Sequence, residues 1–248
     1  MNTGAIKGWC PGALQPMRSG DGFVVRVRPR GGRIDATQAK GIAALAERHG
    51  NGLIDLTNRA NLQIRGVSEA SHSPLIEGLA QLGLLDAEPE AEARRNILVT
   101  PFWTAGDEIM SIAAELERFL AAGPLGLPNK FGFAVDCGRE RVLAGASADV
   151  RIERDTAGQL ILRADGAELG RPVARAEAVD SALALAEWFV RSGGVRGSRG
   201  RMAAHIGAGA TPPQTLGGQA KPARSLATPH PGNYPQGVLF GVAFGQMT

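Results

Sequence analysis

Along the chain the spacing of hydrophobic and polar positions changes period several times, and each change marks an element. Residues 23–29, FVVRVRP, alternate with period two: Phe23, Val25 and Val27 fall on one side, Val24, Arg26 and Arg28 on the other. Residues 35–50 switch to helical spacing, with Asp35 as cap, Ile42, Leu45 and Ala46 as the buried stripe and Gly50 as the stop. Strands are predicted at 52–58 and 61–67, and a helix over 73–83 carrying Leu75, Ile76, Leu79 and Leu82. The order β-α-β-β-α is most of a ferredoxin-like unit, whose helices cover one sheet face. The opposite face then presents Arg26, Arg28, Arg59, Asn61, Gln63 and Arg65, with no acid among them.

After an acidic stretch read as a linker (DAEPEAEA, 86–93), a strand is predicted at 94–101 and an amphipathic helix at 106–123. The buried stripe of that helix is Ile109, Ile112, Ala113, Leu116, Phe119 and Leu120. A buried strand at 129–138, a hairpin formed by 149–154 and 159–164, and a helix at 174–193 complete a second unit. The fold class is α+β: an extended segment over 1–20, a half domain over 21–86 and a larger domain over 94–193. Residues 194–236 are rich in Gly, Pro, Arg and Ser without periodicity and are read as a flexible linker. Residues 237–248 begin like a buried strand, the start of a second half domain, so the protein is expected to continue past Thr248.

Charge narrows the function classes. The net charge is only +3, yet 23 arginines stand against 4 lysines. A GC-rich genome gives such a bias, and so does recognition of carboxylates or phosphates, which the planar guanidinium fork matches. Aromatics are 5% and do not interleave with basic residues, so nucleic acid is not an expected partner. No apolar run approaches the ~20 residues of a membrane span, and the N-terminus has no signal-peptide core, which makes a cytoplasmic location the default. Cys10 and Cys137 are too few for a disulfide framework or a CxxC-type metal site, and both are read as inert; no metal ligand set is expected. His205 and His230 lack a second ligand at metal spacing, and no nucleophile–base pair is visible.

Three motifs, TNRANLQIRG (57–66), RRNIL (94–98) and LPNKFGFAVDCG (127–138), resemble the successive signatures of the nitrite and sulfite reductase superfamily. The resemblance implies a ferredoxin-like half domain followed by a reductase-type α+β domain, a pair that recurs in the second half of such proteins. It implies that Arg59, Arg95 and Lys130 bind tetrapyrrole carboxylates, with Arg94 as the rival of Arg95, and with Arg65, Arg26, Arg28, Gln63 and Asn61 as further candidates. The opening GWCPGALQPMRSGDGFVVRVRP is most similar to the precorrin-3B synthases, oxygen-dependent members that hydroxylate a precorrin on the aerobic cobalamin route. That resemblance implies a precorrin-type tetrapyrrole, molecular oxygen and an electron donor as partners. It also implies a [4Fe–4S] cluster whose cysteine ligands lie in a C-terminal half or partner subunit, so that this chain alone is expected to be inactive. Two alternatives stay open: half of a siroheme-dependent reductase, or a non-catalytic tetrapyrrole-binding subunit. Gly132 stands where the reductases carry a second basic residue, which disfavours the first.

Overall fold

The computed structural model describes residues 12–123, 125–226 and 229–248. Cys10 and most of the extended segment 1–20 therefore lie outside the described residues.

The first domain is built from β1 (Met17–Ser19), β2 (Gly22–Val27), α1 (Ala36–His49), β3 (Ile54–Leu56), β4 (Leu62–Val67) and α2 (Glu69–Gln81). The four strands form an antiparallel sheet in the order β1-β2-β4-β3. Alternation decides its faces. Val25, Val27, Leu62 and Ile64 are buried with Ile42, Ala46, Leu75 and Leu79 of the two helices. Arg26 pairs with Gln63 across β2 and β4, one position out of phase, so both point away from that core. The start of α1 is fixed by a capping box, in which the Asp35 carboxylate accepts the Gln38 N–H and the Gln38 side chain accepts the Asp35 N–H. Helix α2 begins four residues before the predicted start, because the Ser68 hydroxyl caps it through the Ser71 N–H and the helix carries Pro74 within it.

The second domain contains α3 (Pro89–Arg94), β5 (Ile97–Val99), α4 (Ile109–Ala122), β6 (Phe133–Asp136), β7 (Val150–Arg154), β8 (Leu160–Ala164), β9 (Arg171–Pro172) and α5 (Ala178–Arg191). Its sheet runs β5-β6-β7-β8-β9, with β5, β6 and β7 parallel and the last two antiparallel. Helices α4 and α5 close a core with Phe131, Phe133, Ile152 and Leu162. Phe119 departs from expectation: it is 38% exposed at the edge of the α4 stripe, with the Arg118 guanidinium carbon 4.7 Å from its ring centroid.

Three segments differ from the sequence reading. The acidic stretch is no linker. Helix α3 forms there, and Asp86 and Glu92 are buried as partners of arginines. Residues 194–226 are packed on the second domain. They contain α6 (Met202–Gly207), whose Met202 is fully buried in the core. Arg201 and the Met202 N–H both bind the Asp149 carboxylate, at 2.9 and 2.8 Å. Pro222, Ala220 and Ser225 make isolated bridges to Asp155, Gly170 and Arg141. The end of the chain is not a buried strand: β10 (Gly232–Tyr234) and β11 (Gly237–Leu239) form an exposed hairpin. Strand β12 (Gln246–Met247) then adds to the β3 edge, leaving Phe240 and Phe244 exposed.

Among the described residues, no helix is long and apolar enough to cross a membrane.

Candidate functional site

The turn between β3 and β4 begins the site. The Thr57 hydroxyl accepts the N–H groups of Arg59 and Asn61, at 3.4 and 3.2 Å, and Ala60 takes a left-handed conformation (φ 53°). The corner thereby turns Arg59 toward the second domain. Its guanidinium donates to the Lys130 carbonyl at 3.3 Å and to Ser147 Oγ at 3.1 Å.

Arg28, at the end of β2, is 4% exposed and bridges the domains in the same direction. It donates to Asn96 Oδ1 at 2.6 Å and to Glu92 Oε1 at 3.3 Å. Asn96 in turn donates to the carbonyls of Asn129 and Phe131, at 2.9 and 3.2 Å, which fixes the segment that carries Lys130. Burial pushes the Glu92 carboxyl above the usual glutamate range, against the opposing pull of the Ala13 N–H and Arg28.

These contacts bring together a pocket of about 160 Å³ lined by Arg26, Arg28, Arg59 and Lys130, with Thr57, Asn58, Asn61, Asn96 and Asn129 between them. Among the described residues four cationic side chains line it and no acid does, so its field favours an anion. Thr57 and Asn58 also line a second cavity of about 810 Å³ between the domains. That cavity has small-residue walls at Gly31, Gly32 and Ala60 and apolar walls at Leu98, Val99, Pro101, Trp103 and Leu143. Basic pocket and apolar cavity together suit a ligand with a broad apolar body and acidic substituents.

Five predicted residues thus meet at the pocket: Arg26, Arg28, Arg59, Asn61 and Lys130. The other three do not line it. Gln63 sits mid-sheet, opposite Arg26 and Asp55. Arg65 lies on the same face but binds Asp21 and Asp55, both at 3.0 Å, so the face does carry acids, contrary to its reading from alternation alone. The hydrogen bond from Arg65 holds the Asp21 carboxyl below its usual range. Arg95 is 6% exposed; it donates to Asp86 at 2.6 Å and to the Arg28 carbonyl at 2.7 Å, and so ties β2 to the second domain. Its rival Arg94 caps the end of α4, donating to the carbonyls of Leu120 and Ala121.

Residues that the sequence did not single out also line the site. Asn96 and Asn129 lie inside the quoted motifs, where a signal existed. Arg33 and Trp103 line the apolar cavity and lie outside every motif.

Among the described residues, no group of three or more His, Cys, Asp or Glu is placed to hold a metal ion. Cys137 is buried, donates to the Ile152 carbonyl at 3.3 Å, and burial pushes its thiol far up. The described residues therefore do not supply the ligand set of an iron–sulfur cluster.

Residues 15–82 match the nitrite/sulfite reductase ferredoxin-like half domain. A precorrin-3B synthase from Sinorhizobium sp is 37% identical over 155 residues, 59% of this chain and 32% of the relative. The ferredoxin–nitrite reductase of Synechococcus elongatus is 30% identical over 131 residues, 48% of this chain and 25% of the relative. The solved structure of the Mycobacterium tuberculosis NirA protein superposes with a TM-score of 0.55 at 19% identity, covering 75% of this chain and 37% of that one. The matched region is about a third or less of each sequence relative. Fold and sequence both fit the nitrite and sulfite reductase superfamily, with the strongest of these sequence likenesses to precorrin-3B synthase.

Proposed function

We propose that this chain, kin to precorrin-3B synthase within the nitrite and sulfite reductase superfamily, is the N-terminal portion of an oxygen-dependent monooxygenase that hydroxylates precorrin-3A. The observation that carries the reading is the convergence of Arg26, Arg28, Arg59 and Lys130 on one basic pocket that opens beside an apolar interdomain cavity. A precorrin has the matching chemistry: a large apolar macrocycle with carboxylates at its rim. In this reading Arg59 and Lys130 hold acetate and propionate groups, each charge-assisted contact contributing ~1.5–3 kcal/mol. Arg28 and Asn96 keep the Lys130 segment in register with β2. The apolar walls exclude water from the ring face.

The reaction places one oxygen atom of dioxygen on a macrocycle carbon and releases the other as water, with two electrons from an external donor and two protons from solvent. An iron–sulfur cluster would supply the redox chemistry when bound. The described residues do not hold one, so their own contribution is to bind and orient the substrate.

The competing reading, half of a siroheme-dependent reductase, is disfavoured at Gly132. The Gly132 N–H donates to Asp149 Oδ2 at 2.9 Å, and a Cβ there would lie 3.2 Å from the Asn96 carbonyl oxygen. A basic side chain at that position would press on the Asn96 carbonyl, which would have to give by a few tenths of an ångström.

The test supplies the native protein with precorrin-3A, an electron donor and isotopically labelled dioxygen. One labelled oxygen in the product supports the proposal. Reduction of nitrite or sulfite without labelled product overturns it in favour of the reductase.

A further inference from the structure

Arg33 occupies a built position outside the basic pocket. Two consecutive left-handed glycines, Gly31 (φ 58°) and Gly32 (φ 67°), turn the chain immediately before it. The turn is tightly enclosed: a Cβ on Gly31 would lie 2.7 Å from Met110 Cε, and one on Gly32 would lie 3.1 Å from Ala60 Cβ. The Gly31 N–H is anchored on Glu117 Oε1 at 2.9 Å, across the domain boundary. The chain leaves the turn extended at Arg33, whose guanidinium carbon lies 4.0 Å from the ring centroid of Trp103. Arg33 and Trp103 thus come from different domains, and both line the 810 Å³ cavity.

Arg28, Arg65 and Arg95 all have carboxylate partners. Among the described residues no carboxylate pairs with Arg33, whose side chain is held by the indole face instead. A guanidinium over an aromatic face keeps its N–H groups available to an anion. Arg33 thus places a cation at the edge of an apolar cavity.

We propose that Arg33, seated over the Trp103 ring, is a specificity-determining ligand for a carboxylate substituent of the ring compound seated in this cavity. The inference rests on the tetrapyrrole reading above and adds a second anionic subsite to it. The first is the pocket of Arg59 and Lys130, and Thr57 and Asn58 line both spaces. Two carboxylate subsites joined by an apolar chamber read the separation of acidic groups around a macrocycle, beyond their mere presence.

The test is titration of the 248-residue chain with uroporphyrin, a soluble ring polycarboxylate, followed by porphyrin absorbance and tryptophan fluorescence. Arg33→Gln is expected to weaken binding by about tenfold or more, the loss of one charge-assisted contact. Arg33→Lys, which keeps the charge but loses the fork, restores part of the affinity. The melting temperature of both variants stays at the wild-type value, since Arg33 is exposed. Equal affinity of Arg33→Gln and wild type overturns the inference and leaves the tetrapyrrole reading standing. A wild-type chain that does not bind overturns both. Affinity lost together with melting temperature in both variants assigns Arg33 a structural role and overturns the inference.

Discussion

At the scale of the residue, similar arginines divide into two kinds by what surrounds them. Arg95 is sealed at 6% exposure between Asp86 and the Arg28 carbonyl, so its removal leaves buried Asp86 with Arg30 at 2.7 Å in place of two arginines and takes a donor from the Arg28 carbonyl. Arg95→Ala is therefore expected to destabilise the fold by about 3 kcal/mol, a drop of roughly 6–12 °C in melting temperature for a chain of this size. Thermal unfolding checks this, and an unchanged midpoint would contradict the buried pairing. Arg59 is only half-buried and lines the pocket, so Arg59→Ala should act mainly on ligand affinity. Glu92 adds a pH signature. Its folded carboxyl titrates above the usual glutamate range, so the stability tied to its protonation is full below that range and is lost as pH rises through the folded value. Relative to Glu92→Gln, which has no such titration, the wild type should lose melting temperature on going from about pH 4 to about pH 8. Parallel curves for the two proteins would show that Glu92 is not the group responsible.

At the scale of the element, the sequence was legible wherever a local rule decided the outcome. Asp35 and Gly50 bound α1 because capping is written in adjacent residues. The β2 and β4 alternation placed Arg26 and Gln63 on one face because pleating has period two. What stayed hidden depended on partners distant in the chain. Glu92 read as part of a solvated acidic linker, since nothing local reveals that Arg28 and the Ala13 N–H will meet it, whereas Asp86 pairs with Arg95 only nine residues along the chain. Asp21 and Asp55 likewise saturate Arg65 only after the sheet has formed. The largest misreading was 194–226, whose Gly and Pro content masks one short helix and a run of bridges to the second domain. Met202 anchors that segment in the core, so Met202→Ala is expected to cost about 2–5 kcal/mol. It should also open residues 194–226 to protease. Equal melting temperature and equal cleavage in wild type and variant would restore the linker reading.

At the scale of the whole molecule, two sheets with separate cores meet along an ionic seam. Arg28 with Glu92, Arg95 with Asp86, and Arg30 with Asp86 at 2.7 Å cross or border it. The seam fixes the relative position of the turn at 57–61 and the segment at 129–130, and so assembles a basic pocket from parts about seventy residues apart in sequence. Five predicted residues are among those parts, but the apolar chamber beside them, with Arg33 and Trp103, followed only from the way the domains pack. The central claim is that this interdomain site grips the carboxylates of a tetrapyrrole. Its most direct test is the affinity of the chain for uroporphyrin, compared with that of an Arg59→Ala/Lys130→Ala double variant at the same ionic strength. The account predicts saturable one-to-one binding by the wild type, weakened about a hundredfold or more when both contacts are removed. Absence of wild-type binding, or equal affinity of the two proteins, would contradict it.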